Sequence, residues 1–191
     1  PVHRGEVRRI KNAHGHWIVS ADAHPNSNGA RLMGLPVVDV ANLESYLRDG
    51  DGPLLVLDAH AHPWLATADA AAAVAQRSTA VLARNATPLV ESASVVLPGA
   101  SWAETEGTYT SSEGIVQHAR RALPPTGQSQ PAWQVVYALA RHLGHEQERH
   151  VSPRVLFAEM AAETAAFAGM TYGRLKSEPG MPIHGEVDRV G

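Results

Sequence analysis

Apolar positions along this chain fall into blocks whose spacing changes from helical to continuous and back. From Asp39 onward, Val40, Leu43 and Leu47 recur on one helical face, with Asp39 placed to cap the helix and "RDGDGP" to stop it. Leu54–Leu57 is then an unbroken apolar run of strand length, and "TADAAAAVAQR" is alanine-rich, with Thr67 as the expected N-cap. Two more apolar runs follow, Thr79–Leu82 and Ser94–Leu97. Strands that read as runs rather than alternations, separated by helices, predict a parallel sheet covered on both faces. The expected fold class is α/β: a small parallel-sheet lobe with flanking helices and loop-rich termini.

Helical spacing returns after residue 130. Trp133, Val136, Tyr137, Ala140 and Leu143 share a face between Pro131 and Gly144, and a second helix from Ser152-Pro153 carries Leu156, Met160 and Phe167. Both stripes are expected to face the core. Residues 1–36 read as an extended, loop-rich lead-in relieved only by the apolar Trp17–Val19, residues 37–175 as the domain, and 176–191 as a surface tail. The closing stretch "GMTYGRLKSEPGMPIHGEVDRVG" carries Gly and Pro too often for a helix. Between these blocks lies "SASVVLPGASWAETEGTYTSSEGIVQ", whose strand stops at Pro98 and gives way to a long polar segment. Loops of that length in a compact domain are either disordered or built to hold something.

Composition narrows the chemistry. The chain has 191 residues, 44% of them apolar, enough to bury a core. A net charge of -3 with the arginines scattered among acids gives no field for nucleic acid. The absence of cysteine excludes disulfides, thiolate zinc sites and cysteine-held iron–sulfur clusters within these residues. No apolar run approaches the roughly 20 residues that span a bilayer, and the N-terminal stretch lacks the apolar core of a signal peptide. These features predict a soluble, cytoplasmic protein. A start at Pro1 points to processing or to a piece of a longer chain.

Few short motifs carry chemistry. Phosphate-binding glycine loops and the serine-hydrolase elbow are missing. In "GHEQERH", His145 and His150 stand one residue too far apart for the zinc-protease pattern, which indicates a solvated helix end. The sharper candidate is "VLDAHAHPW". Asp58, His60 and His62 alternate at a strand end, so they could share one side and one metal ion, as at the start of metal-dependent amidohydrolase barrels. Against that reading, such a barrel needs about 200 residues or more, and no other strand end offers a ligand.

The stretch from Val95 to Gln117 resembles the molybdopterin oxidoreductase superfamily. Within it, the similarity points to the C-terminal domain of the large iron–sulfur subunit of bacterial NADH-quinone oxidoreductase (complex I). The residues that carry it are Val95–Pro98, Glu104, Gly107-Thr108, Glu113-Gly114 and Gln117, followed by "ARRALPPTGQSQPAWQVVYALARHLG" and "FAEMAAETAAFAGMTYGRL", so that it covers residues 54–175. "VRRIKNAHGHWIVSADAHPNSNGARLMGLP" is more weakly similar to other parts of such chains.

The resemblance implies an ordered loop in which Glu104, Gly107, Thr108, Glu113, Gly114 and Gln117 do structural work, Thr108 and Glu113 by satisfying backbone N–H groups. In cofactor-bearing relatives the lobe helps wrap a pterin guanine dinucleotide. Departures here argue against a bound group: Ile115 stands where the family has arginine, His60 to Pro63 replace the strand-end nucleotide pattern, and no cysteine is available for molybdenum. The resemblance therefore implies a cofactor-less, non-catalytic component of a complex I-like assembly that supports electron transfer from NADH to quinone. Iron–sulfur clusters and FMN are expected in partner subunits, the partners being iron–sulfur and NADH-oxidising subunits. Trp17, Trp64 and Trp102 are the candidate docking anchors. Membrane contact would be indirect, peripheral to the inner membrane through the complex. The alternative is a fragment of a pterin-dependent oxidoreductase such as formate dehydrogenase.

Overall fold

A computed structural model describes residues 2–3, 8–11, 17–20, 26–38, 40–58, 68–145 and 151–185. In chain order the elements are β1 (Val2–His3), β2 (Arg8–Lys11), β3 (Trp17–Ser20), α1 (Ser27–Leu32), β4 (Val37–Val38), α2 (Val40–Asp49) and β5 (Leu54–Asp58). Next come α3 (Ala68–Ala75), β6 (Thr79–Ala83), α4 (Pro88–Ser92), β7 (Val95–Pro98), β8 (Gly107–Thr110) and β9 (Ile115–Ala119). The chain closes with α5 (Ala132–His142), α6 (Pro153–Glu163), α7 (Tyr172–Ser177) and β10 (Met181–Pro182). They form two compact units interleaved in sequence, one of residues 41–106 and 120–149, the other of 1–40, 107–119 and 150–191.

The first of these units is the α/β lobe the apolar runs predict. β5, β6 and β7 are parallel and ordered as numbered, with Leu55 beside Ala80 and Leu82 beside Leu97. Thr79 locks the start of β6, its hydroxyl donating to the carbonyls of Val74 and Arg77, both at 3.1 Å. Arg77 ties α2 to the turn before β5, donating to Gly52 O at 2.8 Å and Leu47 O at 3.2 Å. α4 starts as its sequence dictates, with the Thr87 hydroxyl accepting from Val90 N and Pro88 in the first turn. The caps expected at Asp39 and Thr67 lie outside the described residues.

The expected cover on both faces is found at the centre of the sheet and not at its edges. In β6, Val81 and Leu82, on opposite sides of the pleat, are both buried, whereas Leu55 and Leu57 of β5 and Val95 and Val96 of β7 are exposed. The cover of one face follows from topology. Strands that advance in one direction through right-handed crossovers place both crossover helices, α3 and α4, on the same face. Those two helices pack against each other, and α4 lies on β6. The stripe of α5 is corrected as well. Of its members Val136 is exposed and Leu143 is 69% exposed, while Trp133 Nε1 and Tyr137 Oη are buried with no hydrogen-bond partner.

The second unit is built on an antiparallel hairpin. β8 pairs with β9, β10 adds to β9, and the second half of the long polar segment is thus a hairpin. Gly114, at φ 75°, closes the hairpin turn in a conformation that a side chain disfavours. Val116, Phe157, Phe167, Tyr172 and Leu175 form its core, with Phe157 tilted against both Phe167 and Tyr172 at ring separations of 6.4 and 6.1 Å. α6 is capped by the Ser152 hydroxyl, which accepts from Val155 N at 3.3 Å. It ends at Glu163, so Phe167 belongs to a separate 3-10 turn, Ala165–Phe167, and Phe157 rather than Leu156 is the helix's buried residue.

Two low-periodicity regions hold more structure than expected. The closing stretch forms α7, where Thr171 caps the helix and Leu175 is buried, and then β10. The lead-in carries the antiparallel pair β2–β3, α1, and β1, which pairs in parallel with β4 just beyond it. Among the described residues no helix is long and apolar enough to cross a membrane.

Candidate functional site: a crevice at the strand ends

In open parallel sheets, ligands gather beyond the carboxyl ends of the strands. Here β6 runs out into Arg84 and Asn85, and β7 into Gly99 and Ser101. These residues, with Glu104, Thr126 and Ser129, line a crevice of about 380 Å³ within the α/β unit. Its walls are fixed by backbone bonds. Gly99 N donates to Ala83 O at 2.8 Å, and Ala100 N to Gln130 O at 2.9 Å, while Gln130 N donates to Pro98 O at 3.1 Å. The chain around Gln130 is thereby laid beside the end of β7. A Cβ on Gly99 would approach Leu82 Cγ to 3.3 Å, so the close passage of the two strand ends favours glycine.

Glu104 sits beneath this crevice, in a 3-10 turn over Trp102–Glu104. One carboxylate oxygen accepts from Ser101 N at 2.7 Å; the other accepts from Thr126 N at 2.9 Å and from the Thr126 hydroxyl at 2.7 Å. Charge-assisted bonds to an anion favour its ionised form. The Ser101 amide above all, then the Thr126 hydroxyl, lowers the Glu104 pKa from 4.5 to about 2. Three of the roughly four acceptor positions of this carboxylate are taken by the protein itself, so Glu104 shapes the crevice rather than exchanging protons in it. Ser129 differs: its hydroxyl oxygen is buried and has no hydrogen-bond partner. With the Arg84 guanidinium and Asn85 amide nearby, the wall is rich in donors suited to a polar or anionic group.

The sequence motif divides between the two units. Glu104 belongs to the α/β unit, whereas Gly107, Thr108, Glu113, Gly114 and Gln117 belong to the hairpin unit. Gly107 and Thr108 lie in β8, paired with Ala119 and His118. Gln117, in β9, donates from its side chain to Pro179 O at 3.1 Å. Glu113 is exposed on the hairpin turn. The capping expected of Thr108 and Glu113 is done by other residues: Glu104 as described, and Ser111, whose hydroxyl accepts from Glu113 N at 3.2 Å and Ile115 N at 3.1 Å. Trp102 is 73% exposed rather than core.

Asp58 ends β5, and His60 and His62 lie outside the described residues, as does Trp64. Among the described residues no cluster of His, Cys, Asp or Glu could hold a metal ion. Arg84, Asn85, Thr126 and Ser129 carry no motif and were missed by sequence reading. The signal for the first two was positional, since they directly follow a parallel strand.

Comparison with known proteins places the same stretch. The family model "Molybdopterin oxidoreductase" matches residues 54–142, just under half of the chain. The alpha subunit of an F420-dependent formate dehydrogenase from Methanococcus maripaludis is 38% identical over 94 residues, covering 43% of this chain and 14% of that protein. Candidate formate dehydrogenases of two Staphylococcus aureus strains are 35% and 37% identical over 83 and 73 residues. Those alignments cover 42% and 38% of this chain, and 8% and 7% of the relatives. The chain therefore spans only a small fraction of the curated relatives it matches. Over residues 54–142, which include the parallel sheet and the crevice, the chain is similar to the molybdopterin oxidoreductase family.

Proposed function

We propose that this chain is a piece of a pterin-dependent oxidoreductase of the formate dehydrogenase kind and supplies one wall of the cofactor cradle. The observation that carries the reading is the donor-rich crevice beyond β6 and β7, which falls inside the family-matched residues. Its contents fit the polar end of a pterin dinucleotide: the buried, partnerless Ser129 hydroxyl, the Arg84 guanidinium and the Asn85 amide are all able to donate to phosphate or to a base edge. Its volume is that of a small ligand site, enough for part of such a molecule. A pterin-held metal would supply the redox chemistry in a whole enzyme. This chain's residues would bind and orient; without cysteine they offer no thiolate to the metal and no iron–sulfur ligation of the usual kind. On this reading the chain alone holds no complete cofactor.

The relatives favour this reading over a complex I-like role, in which the same lobe would be a cofactor-less support for NADH-oxidising subunits. Guanosine diphosphate serves as the probe. Calorimetric titration of the chain should show binding that weakens about tenfold or more in Arg84→Ala, the loss expected when a charge-assisted contact goes. No detectable binding, or equal binding by the variant, overturns the cradle. Recovery of NADH-oxidising and iron–sulfur subunits with the chain from its source would restore the complex I reading.

A further inference from the structure

We infer that the α/β unit carries, apart from the crevice, a docking surface for an acidic protein segment, with Trp102 as its apolar anchor and Arg120 and Arg121 as its charged rim. Trp102 is the most exposed large apolar side chain among the described residues, at 73%, yet the backbone that carries it is held from several sides. The 3-10 turn that presents it is tied through Glu104 to Ser101 and Thr126, and through the Thr105 hydroxyl to Ser101 O at 2.9 Å. Next to it, Ala122 N and Leu123 N both donate to Ala103 O, at 2.7 and 3.0 Å. That bifurcated contact pins the segment Arg120–Leu123 alongside the tryptophan turn. Leu123 is 58% exposed.

The rim carries two exposed cations, and the half-buried Glu106 beside them has a partner within the protein. Arg120 and Arg121 are exposed, and among the described residues neither makes a hydrogen bond or ion pair. Glu104, the nearest acid in the turn, has its oxygens occupied by Ser101 and Thr126 and is turned inward. A tryptophan on a fixed turn and two exposed guanidinium groups are the residue types enriched at protein interface hot spots, Leu123 adds apolar area, and the arginines select carboxylates. In a chain of net charge -3, two adjacent arginines with no partner among the described residues, beside the exposed Trp102, give a local field opposite to the overall one. The occupant this fits is a glutamate- or aspartate-rich segment carrying an aliphatic or aromatic residue.

The test uses the whole chain and a fluorescent glutamate-rich peptide with a central Leu-Phe pair, its lysine-rich counterpart as control, and anionic phospholipid vesicles as competitor. The acidic peptide should bind and shift tryptophan emission, with affinity falling as salt rises. Binding should weaken about tenfold or more in Trp102→Ala and, separately, in Arg120→Glu/Arg121→Glu, while Arg141→Glu, at the end of α5, leaves it unchanged. Unchanged guanosine diphosphate titration and unfolding midpoint in these variants separate this surface from the crevice and from loss of fold. Equal binding of the lysine-rich peptide, indifference to both variants, or vesicle binding without peptide binding would overturn the proposal. So would self-association that Trp102→Ala abolishes.

Discussion

The two units hide their apolar residues to different degrees. In the hairpin unit, β9, α6 and α7 enclose Phe157, Phe167 and Leu175 in one cluster. In the α/β unit, Val74, Val81 and Leu89 are buried, but Leu55, Leu57, Val95 and Val96 stand in solvent. An antiparallel hairpin needs only one covered face, whereas a parallel sheet is ordinarily covered on two. An apolar run thus reports what a strand is able to bury, and strand order decides what covers it.

Substitutions can break or sharpen that contrast. The largest effect is expected from Phe167→Ala, a side chain 1% exposed at the centre of the hairpin unit: about 3–5 kcal/mol of stability, read by urea unfolding. A loss below about 1 kcal/mol would mean that this core is no tighter than the sheet. The next effect depends on pH. Glu104 titrates near 2 when folded and near 4.5 ordinarily, so its contribution is complete above pH 4.5 and is lost as pH falls toward about 2. Glu104→Gln should flatten the stability profile across that window, and should do so for the unfolding transition of the α/β unit; a variant that tracks the parent through acid would show that the clasp contributes nothing there.

Smaller effects follow. Gly114→Ala forces a side chain into the left-handed region at φ 75° and should cost about 1–2 kcal/mol, visible as faster amide exchange in β8 and β9. The smallest is Val95→Ala, at a residue 51% exposed: about 0.5 kcal/mol or less by the same urea measurement. A penalty comparable to that of Phe167→Ala would show that this edge strand is covered in solution.

The sheet was legible because its runs are continuous. The expected Leu54–Leu57, Thr79–Leu82 and Ser94–Leu97 became Leu54–Asp58, Thr79–Ala83 and Val95–Pro98, differing by single residues at the ends. The hairpin was not, because "GTYT" and the turn after it offer a single aromatic, Tyr109, among small and polar residues and show no apolar alternation. α7 was obscured by Gly169, Gly173 and Pro179, though the Thr171 cap and buried Tyr172 and Leu175 suffice to form it. Of the crevice, Glu104 was singled out by its motif alone. Its partner Thr126 lies 22 residues away, a separation that no local pattern encodes.

The register of β8 against β9 has a further consequence for how this chain is wired. The chain leaves the α/β unit at Glu106 and re-enters it at Arg120, and the residues just inside those points, Gly107 and Ala119, are ladder partners. Neighbouring strands lie about 5 Å apart, so the whole excursion begins and ends at nearly one place. In the language of chain architecture the hairpin is an insertion: replacing it with a short glycine linker costs little closure entropy and leaves the crevice-bearing fold with its own continuous backbone. Once Glu106 is joined to Arg120, the α/β unit becomes one continuous segment, and cuts before Ala41 and after Arg149 make it an excisable module.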